Sequence, residues 1–322
     1  RQRQMCIRDR NKIFLGAILS SFCALAFYMT SINHMKTQTL EIYGNSTAKV
    51  AQKSKMKEGS KQTRLTNGES EIGEAAISKN SNKSLAKAIV KASSNVQGNY
   101  QISVKDLNST KVFTDLTNTS QDTLNAGNVL KLYVLLAYYK AVQDKSLNSA
   151  TPYKVKASDL NGGDKVLKAD MAYSYTYLLD LMIRQQNNNA ANIILNKIGK
   201  DKVNKTAKTF GASKTEITEN FGKDFAGKTS SNDLVTTMQK LYQGKVLGND
   251  IDNQILGQLA NFPEKGLAKN INGVVYRIAD KKQGAALIQE NGKTYAMAMV
   301  SEEDADLAKV GDAINNWMIK QR

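Results

Sequence analysis

The catalytic chemistry open to this chain is limited because most of the sequence lacks histidine and cysteine. Beyond position 85 the sequence contains no histidine and no cysteine, since the only His is His34 and the two Cys are Cys6 and Cys23. A Ser-His-Asp triad needs an imidazole base, a Cys-His pair needs both residues, and structural zinc sites draw on the same two types. An active site formed by residues 85–322 would therefore take its base from Lys, Asp, Glu or Tyr.

Lys131 lies in a stretch of the sequence that is apolar on almost every side. Residues 129–142 read VLKLYVLLAYYKAV, and such a run predicts a helix that is buried all round. Asn128 lies three residues before Lys131, a spacing that puts both side chains on one face of a helix. A buried lysine is costly without partners, so neighbouring amide groups would have to supply them.

The predicted elements place this helix between two groups of strands. Residues 100–107 and 110–116 alternate like strands, and Asn108-Ser109 predicts a hairpin turn between them. Further strands are predicted at 274–279, 285–289 and 294–300, and helices at 85–94, 129–142, 173–198, 231–243 and 304–319. Strands at both ends with helices between them predict an α/β fold of the α+β sandwich type. Its antiparallel sheet is built from both ends of the domain and flanked by helices, with an inserted all-helical subdomain.

The N-terminal part of the sequence carries signals of export. Residues 13–32 form an uncharged run of about 20 residues, long enough to cross a bilayer, and Arg8, Arg10 and Lys12 precede it. Positive charge stays on the cytoplasmic side, so we expect a transmembrane signal anchor with the domain outside the cell. A cleaved signal peptide and a secreted protein are the alternative. We expect residues 1–12 to be a leader, and its first ten residues read like a translated cloning scar.

A polar segment, residues 33–84, follows the apolar run. It has too few large apolar residues to offset the entropy of ordering, so we expect a disordered linker followed by a globular domain over residues 85–322. The net charge of +16 is spread over both parts. Such charge favours anionic surfaces such as wall polymers or lipid headgroups. The sequence carries no nucleic-acid-binding motif.

Three stretches give residues 85–322 a resemblance to the class A β-lactamase and penicillin-binding-protein family. Residues 125–139 (NAGNVLKLYVLLAYY) look like the helix that carries the family's S-x-x-K motif, and residues 178–199 look like the segment that carries S-D-N. Residues 229–241 look like the helix after the family's omega loop. The resemblance implies a β-lactamase-like fold and a site with a serine nucleophile and a lysine one helical turn later.

The residues at these motifs depart from the family pattern. The S-x-x-K motif reads N-V-L-K from Asn128 to Lys131, so the lysine is kept and the serine is not. The S-D-N motif reads Q-N-N from Gln186 to Asn188, and only its last residue matches. The resemblance therefore implies that these four named residues occupy the family's catalytic positions without its serine chemistry.

Two further family positions also differ from the pattern. The K-T-G motif on the edge strand falls at R-I-A beginning at Arg277, where a positive charge is kept and the threonine hydroxyl is lost. Residues 282–284 (KQG), at the turn after that strand, are the rival alignment. Counting along the omega-loop segment puts Phe221 at the place of the family's water-activating glutamate, with Glu216 and Glu219 nearby.

For several residues a structural role and a ligand-binding role both fit the sequence. Lys131 is either a general base or anion site, or a buried lysine hydrogen-bonded to Asn128 and Asn188, which is the role we expect. The asparagines at 187–189 form either a polar loop between helices or a ligand site. The tyrosines at positions 173, 175 and 177 either pack between helices, as we expect, or form an aromatic wall beside a cleft.

The sequence leaves three functions open. We expect an exported, membrane-tethered β-lactamase-like protein that has lost serine catalysis and acts at the cell wall by binding. Its expected partners are peptidoglycan or another anionic wall polymer and, through residues 13–32, the membrane; no cofactor, metal or nucleic acid is expected. The second function is that of an active hydrolase of the β-lactamase or D,D-peptidase type whose nucleophile has moved to Ser174 or Thr123. The third is that of a surface scaffold or interaction protein.

Overall fold

The structure is a computed structural model that describes most of the chain beyond the predicted leader and anchor. The described residues are 70–72, 75–109, 113–222, 225–260, 262–263 and 265–321. The predicted leader, the apolar run at 13–32 and the linker before residue 70 lie outside them. Within the described part of the chain, no helix is both long and apolar enough to cross a membrane.

The described residues contain twelve strands and eight α-helices. The strands are β1 (Ser70–Ile72), β2 (Ala75–Ile77), β3 (Tyr100–Asp106), β4 (Phe113–Thr117), β5 (Leu124–Ala126), β6 (Tyr153–Lys154), β7 (Ala172–Tyr173), β8 (Glu216–Ile217), β9 (Gly227–Thr229), β10 (Val274–Ala279), β11 (Gln283–Glu290) and β12 (Lys293–Ser301). The helices are α1 (Lys83–Ser93), α2 (Lys131–Gln143), α3 (Tyr175–Arg184), α4 (Asn188–Ile198), α5 (Lys200–Thr209), α6 (Ser231–Tyr242), α7 (Asn249–Ala260) and α8 (Leu307–Met318).

A seven-stranded antiparallel sheet joins the two ends of the domain. Its strand order is β1-β2-β4-β3-β12-β11-β10, so β3 from the first part of the chain pairs with β12 from the last. In that pair Tyr295 lies opposite Asp106 and Ser301 lies opposite Tyr100. The prediction of one antiparallel sheet built from both ends is therefore confirmed, and β10 forms one edge of the sheet.

Different helices cover the two faces of this sheet. On one face α1 and α8 pack together over apolar residues of the strands, with Leu85, Ile89, Val310 and Ile314 in the shared core. On the other face α6 packs on β3, β11 and β12 and connects the sheet to the group of helices around α2. The second face therefore carries the junction between sheet and helical subdomain.

Helix α2 is buried on nearly all sides, as its apolar sequence predicts. It packs against α4 and α5, and nine of its residues, from Lys131 to Ala141, are buried. A short 3-10 turn over Asn128–Leu130 leads into it, after Gly127. Lys131 is consequently the first residue of a buried helix, at the boundary between the core and the surface.

The predicted disordered linker over residues 33–84 is wrong at its C-terminal end. Strands β1 and β2 lie inside that range, and β2 pairs with β4, where Ile77 lies opposite Leu116. Ala75 and Ile77 are buried in the core below the sheet. A strand of three residues is too short to show a periodic pattern, and the partner that orders it lies far along the chain.

Candidate active-site cleft

A cleft of about 1400 Å³ opens at the start of α2. It lies between the end of β10 and the loop that joins α3 to α4, and its lining includes Asn128, Gln186, Asn188, Lys265 and Asp280. Three of the five site residues predicted from the sequence therefore line one cavity. A fourth, Lys131, lies directly beneath Gln186 and Asn188 and contacts both.

Lys131 is held by the loop between α3 and α4. Its Nζ donates to the main-chain oxygen of Gln186 at 2.5 Å and to Oδ1 of Asn188 at 2.8 Å. The ring centre of Phe221 lies 5.4 Å from the same Nζ, and the lysine is only 1% exposed. The expected hydrogen bond to Asn188 is present, while the second acceptor is the Gln186 carbonyl and not the Asn128 amide that we expected.

The position of Asn188 is fixed by three neighbouring segments. Its main-chain N–H donates to the Asp164 carboxylate at 2.7 Å, and its Nδ2 donates to the Gly222 oxygen at 3.1 Å. Because Nδ2 is turned towards the Gly222 oxygen, Oδ1 is turned towards Lys131 and accepts from its amine. Asn187 caps α4, because its side chain accepts from the N–H of Ala190. Within the asparagine run, Asn187 therefore has a structural role as a helix cap, and Asn188 lines the cleft.

Burial lowers the pKa of Lys131 to about 7, because the charged amine loses its hydration. The carboxylates of Asp164 and Asp280 oppose this effect, and the positive charge of Lys265 adds to it. The neutral form of the amine is therefore accessible near neutral pH. A neutral amine can accept a proton, so Lys131 meets one requirement of a general base.

Asp280 closes the cleft beyond the end of β10. Its Oδ1 accepts from the main-chain N–H groups of Lys282 and Gln283, each at 2.8 Å. The N–H of Asn128 faces the same carboxylate and helps to lower its pKa. Burial raises the pKa of Asp280, while these hydrogen bonds and the charge of Lys131 partly offset the rise. The main-chain N–H at the nucleophile position therefore already faces an anionic group of the protein itself.

Lys265 is a cleft residue that sequence reasoning missed. Its Nζ donates to Oε1 of Gln186 at 2.6 Å, and it lies 5.5 Å from the ring centre of Phe262. Burial lowers the pKa of Lys265, and Asp280 opposes that shift. The sequence holds 45 lysines and arginines, and neither spacing nor a motif separates this lysine from the others.

Arg277 lies apart from the other predicted site residues. Its Nη1 donates to the main-chain oxygen of Ala268 at 2.7 Å, within the layer of the sheet covered by α8. The rival segment does reach the cleft, since Lys282 and Gln283 line it. Gln283 also bonds the strand before α2, because its Nε2 donates to the oxygen of Asn125 at 2.6 Å.

Phe221 lies beside Lys131, with its ring centre 5.4 Å from Nζ. Asn192 holds both its main-chain groups, accepting from the N–H at 2.7 Å and donating to the oxygen at 2.9 Å. The two glutamates nearby do not line the cleft: Glu216 pairs with Lys228 at 3.5 Å, and Glu219 is exposed. An apolar ring therefore covers the amine of Lys131 on this side.

The alternative nucleophiles and the tyrosines lie outside the cleft lining. Ser174 caps α3, where its Oγ accepts from the N–H of Tyr177 at 3.2 Å. Tyr175 is buried against Tyr138, with ring centres 5.7 Å apart. Tyr173 and Tyr177 stack on each other at 5.6 Å with an angle of 14° between the rings. The aromatic group is thus split between the core and a surface pair.

Comparison with known proteins agrees with this geometry. The chain matches the family model Beta-lactamase2, described as the beta-lactamase enzyme family, over residues 82–318. The chain therefore belongs to the beta-lactamase enzyme family, and the family resemblance seen in the sequence is confirmed. No curated protein matches the chain.

Solved structures show the same fold at low sequence identity. The structure of PBP-A is 18% identical, with a TM-score of 0.65 and coverage of 74% of this chain and 97% of that one. A β-lactamase from Sphaerobacter thermophilus is 16% identical, with a TM-score of 0.62 and coverage of 73% and 93%. A β-lactamase from Xanthomonas campestris pv. campestris is also 16% identical, with a TM-score of 0.62 and coverage of 72% and 97%.

Proposed function

We propose that this chain is a β-lactamase-like protein without serine catalysis, which is exported and acts at the cell wall by binding. One observation carries the proposal: among the described residues that line the cleft, none bears a hydroxyl, a thiol or an imidazole. A serine-type acyl-enzyme forms on an activated hydroxyl next to a base. Here the base remains in Lys131, and the position one turn before it holds an amide.

Two features of the surroundings support the same conclusion. Acyl transfer needs free main-chain donors to stabilise the oxyanion that develops beside the nucleophile. The N–H of Asn128 faces the Asp280 carboxylate closely enough to lower the pKa of that group, so an acidic group of the protein itself already lies beside this donor. The ring of Phe221 covers the amine of Lys131, where a second base would be needed to activate water.

The cleft retains the groups that bind a polar ligand. Charged side chains of both signs line it beside the amide groups of the α2 and α4 segments. Among the described residues of the lining, the four lysines are Lys265, Lys269, Lys281 and Lys282, and the five carboxylates are Asp280, Glu302, Glu303, Asp304 and Asp306. Peptidoglycan stems carry carboxylates, amines and peptide groups together, so they match this mixture. The net charge of +16 adds a long-range attraction to anionic wall polymers.

Co-sedimentation with purified peptidoglycan tests the proposal. Wild-type protein should sediment with the wall, and Lys265→Ala combined with Lys281→Ala should reduce the bound fraction several-fold, because both cations line the cleft. The charge-matched control is Lys205→Ala combined with Lys208→Ala, at exposed positions of α5. This double variant should retain binding, apart from a small loss of long-range electrostatic attraction to the wall. Equal loss in both double variants would show that only net charge matters and would contradict binding in the cleft.

A further inference from the structure

Gln186 connects the two sides of the cleft through its side chain. It lies between α3 and α4, and its φ of 55° places it in the left-handed region that residues other than glycine rarely adopt. From that position the side chain reaches away from its own loop. Its Nε2 donates to the main-chain oxygen of Ala279, the last residue of the edge strand β10.

Two other polar atoms of Gln186 are bonded as well. Oε1 accepts from Nζ of Lys265 at 2.6 Å, and the main-chain oxygen accepts from Nζ of Lys131 at 2.5 Å. One residue thus joins the α3–α4 loop, the edge strand, the segment after α7 and the buried lysine. The carboxamide lies between Lys265 and the end of β10, inside the cavity that a ligand would enter.

We propose that Gln186 is a specificity-determining residue whose carboxamide occupies the position of a ligand amide. A ligand that enters this part of the cleft takes over both of its side-chain bonds, accepting from Lys265 and donating to Ala279. The inference rests on the binding function proposed above and narrows it to ligands that present an acceptor and an N–H donor side by side.

A ligand needs both groups because displacing the Gln186 side chain takes away the hydrogen-bond partners of Lys265 and Ala279. Ala279 is buried, so its oxygen is left without a partner if the ligand offers no donor, and an unpaired buried carbonyl is unfavourable. A bare carboxylate accepts from Lys265 but brings a second acceptor towards the oxygen of Ala279. A site built around such a donor and acceptor pair discriminates strongly against a ligand that lacks one of them.

Gln186→Gly gives a clean test, because glycine adopts a φ of 55° without strain and the main-chain oxygen that binds Lys131 is kept. Calorimetry with soluble peptidoglycan fragments released by a muramidase measures the effect. Removing the competing carboxamide should tighten binding roughly threefold to tenfold, the range that one net hydrogen bond provides. Gln185→Gly, at the exposed neighbouring position, is the matched control and should leave the affinity unchanged.

A second measurement needs no ligand. The rate at which an amine-reactive acetylating reagent modifies Lys265, followed by mass spectrometry, should rise threefold to tenfold in Gln186→Gly, because its bond to Oε1 is lost. Lys269, exposed in the same cleft, is the internal control and should keep its rate.

The outcomes distinguish the bridge, meaning the link from Lys265 to Ala279 through the Gln186 side chain, from the proposed function. An unchanged Lys265 rate overturns the bridge, and unchanged or weaker fragment binding by Gln186→Gly overturns its role in specificity. If the Lys265 rate rises while neither wild type nor variant binds the fragments, the bridge is supported and binding of peptidoglycan is contradicted. A faster rate together with tighter binding supports both.

Discussion

Lys131 is a buried amine held directly beneath the lining of the cleft. Its amine is almost fully buried, bonded to the main-chain oxygen of Gln186 and the side chain of Asn188, and covered by Phe221. Its contacts are those of a side chain that connects α2 to the loop between α3 and α4. At the scale of single residues the proposal therefore predicts that Lys131 contributes to stability.

Lys131→Met should destabilise the protein, because it keeps the apolar stem and leaves the two oxygens without their donor. Each orphaned group costs about 1–3 kcal/mol. The pKa of Lys131 is about 7 in the folded protein against 10.5 in the unfolded chain, so between these values the unfolded state binds more protons. Wild-type stability relative to the variant should therefore increase as the pH is raised from 7 towards 10.

Denaturant unfolding of both proteins across that pH range measures this difference. Lys140→Met, on the outer part of the same helix and paired with Asp144, controls for the loss of a lysine as such and should cost about 0.5 kcal/mol or less. A stability difference for Lys131→Met that falls with rising pH would show that the lysine does not lose its proton as described.

At the scale of elements, long-range pairing decides where the domain begins. Strand β2 is only three residues long, and it is ordered by pairing with β4 and by burial of its apolar side chains. Its sequence, AAI, carries little local information about this role. The prediction of a disordered linker failed here because pairing with a distant strand is not encoded in the local composition.

Ile77→Ala should therefore lower the free energy of unfolding by about 2–4 kcal/mol, since the side chain is 1% exposed in a packed core. Val274→Ala, on the edge strand β10 with the valine 52% exposed, is the control and should change stability by about 0.5 kcal/mol or less. Chemical denaturation of the two variants distinguishes an integral strand from the end of a linker. An effect of Ile77→Ala as small as that of the control would restore the linker interpretation.

Other elements were predictable because their information is local. The apolar run of α2 and the alternating strands β10 to β12 were placed from sequence to within two residues. Helix α5 was missed because its sequence, KDKVNKTAKT, is polar and buries only Val203 and Ala207. The same distinction holds for the residues of the cleft. Motif spacing in the sequence located Lys131 and Asn188, whereas Lys265 and Asp280 reach the cleft through the geometry of loops, which the sequence does not show.

At the scale of the whole molecule, the fold is kept at very low sequence identity. Structures that share 16–18% of residues with this chain superpose on almost their full length. A pattern of buried positions is enough to keep such a fold, while catalysis depends on a few atoms in the cleft. The replacement of a handful of polar residues is therefore consistent with an intact β-lactamase-like fold without serine chemistry.

The proposed place at the wall predicts a defined orientation. If residues 13–32 anchor the chain with the domain outside, protease added to cells stripped of wall should remove the full-length protein, as followed by immunoblot, and a cytoplasmic marker should stay intact. Full protection of the chain would contradict this orientation. Release of the protein into the medium before protease is added would indicate a cleaved signal peptide.

Covalent labelling by a fluorescent penicillin tests the central claim most directly. An active penicillin-binding protein, treated in parallel, forms a labelled band on a denaturing gel. We predict that the purified protein forms none, because Asn128 offers no nucleophile to Lys131 and the described residues of the cleft lining provide no hydroxyl in its place. A stoichiometric penicillin adduct would contradict the loss of serine chemistry and reveal a relocated nucleophile.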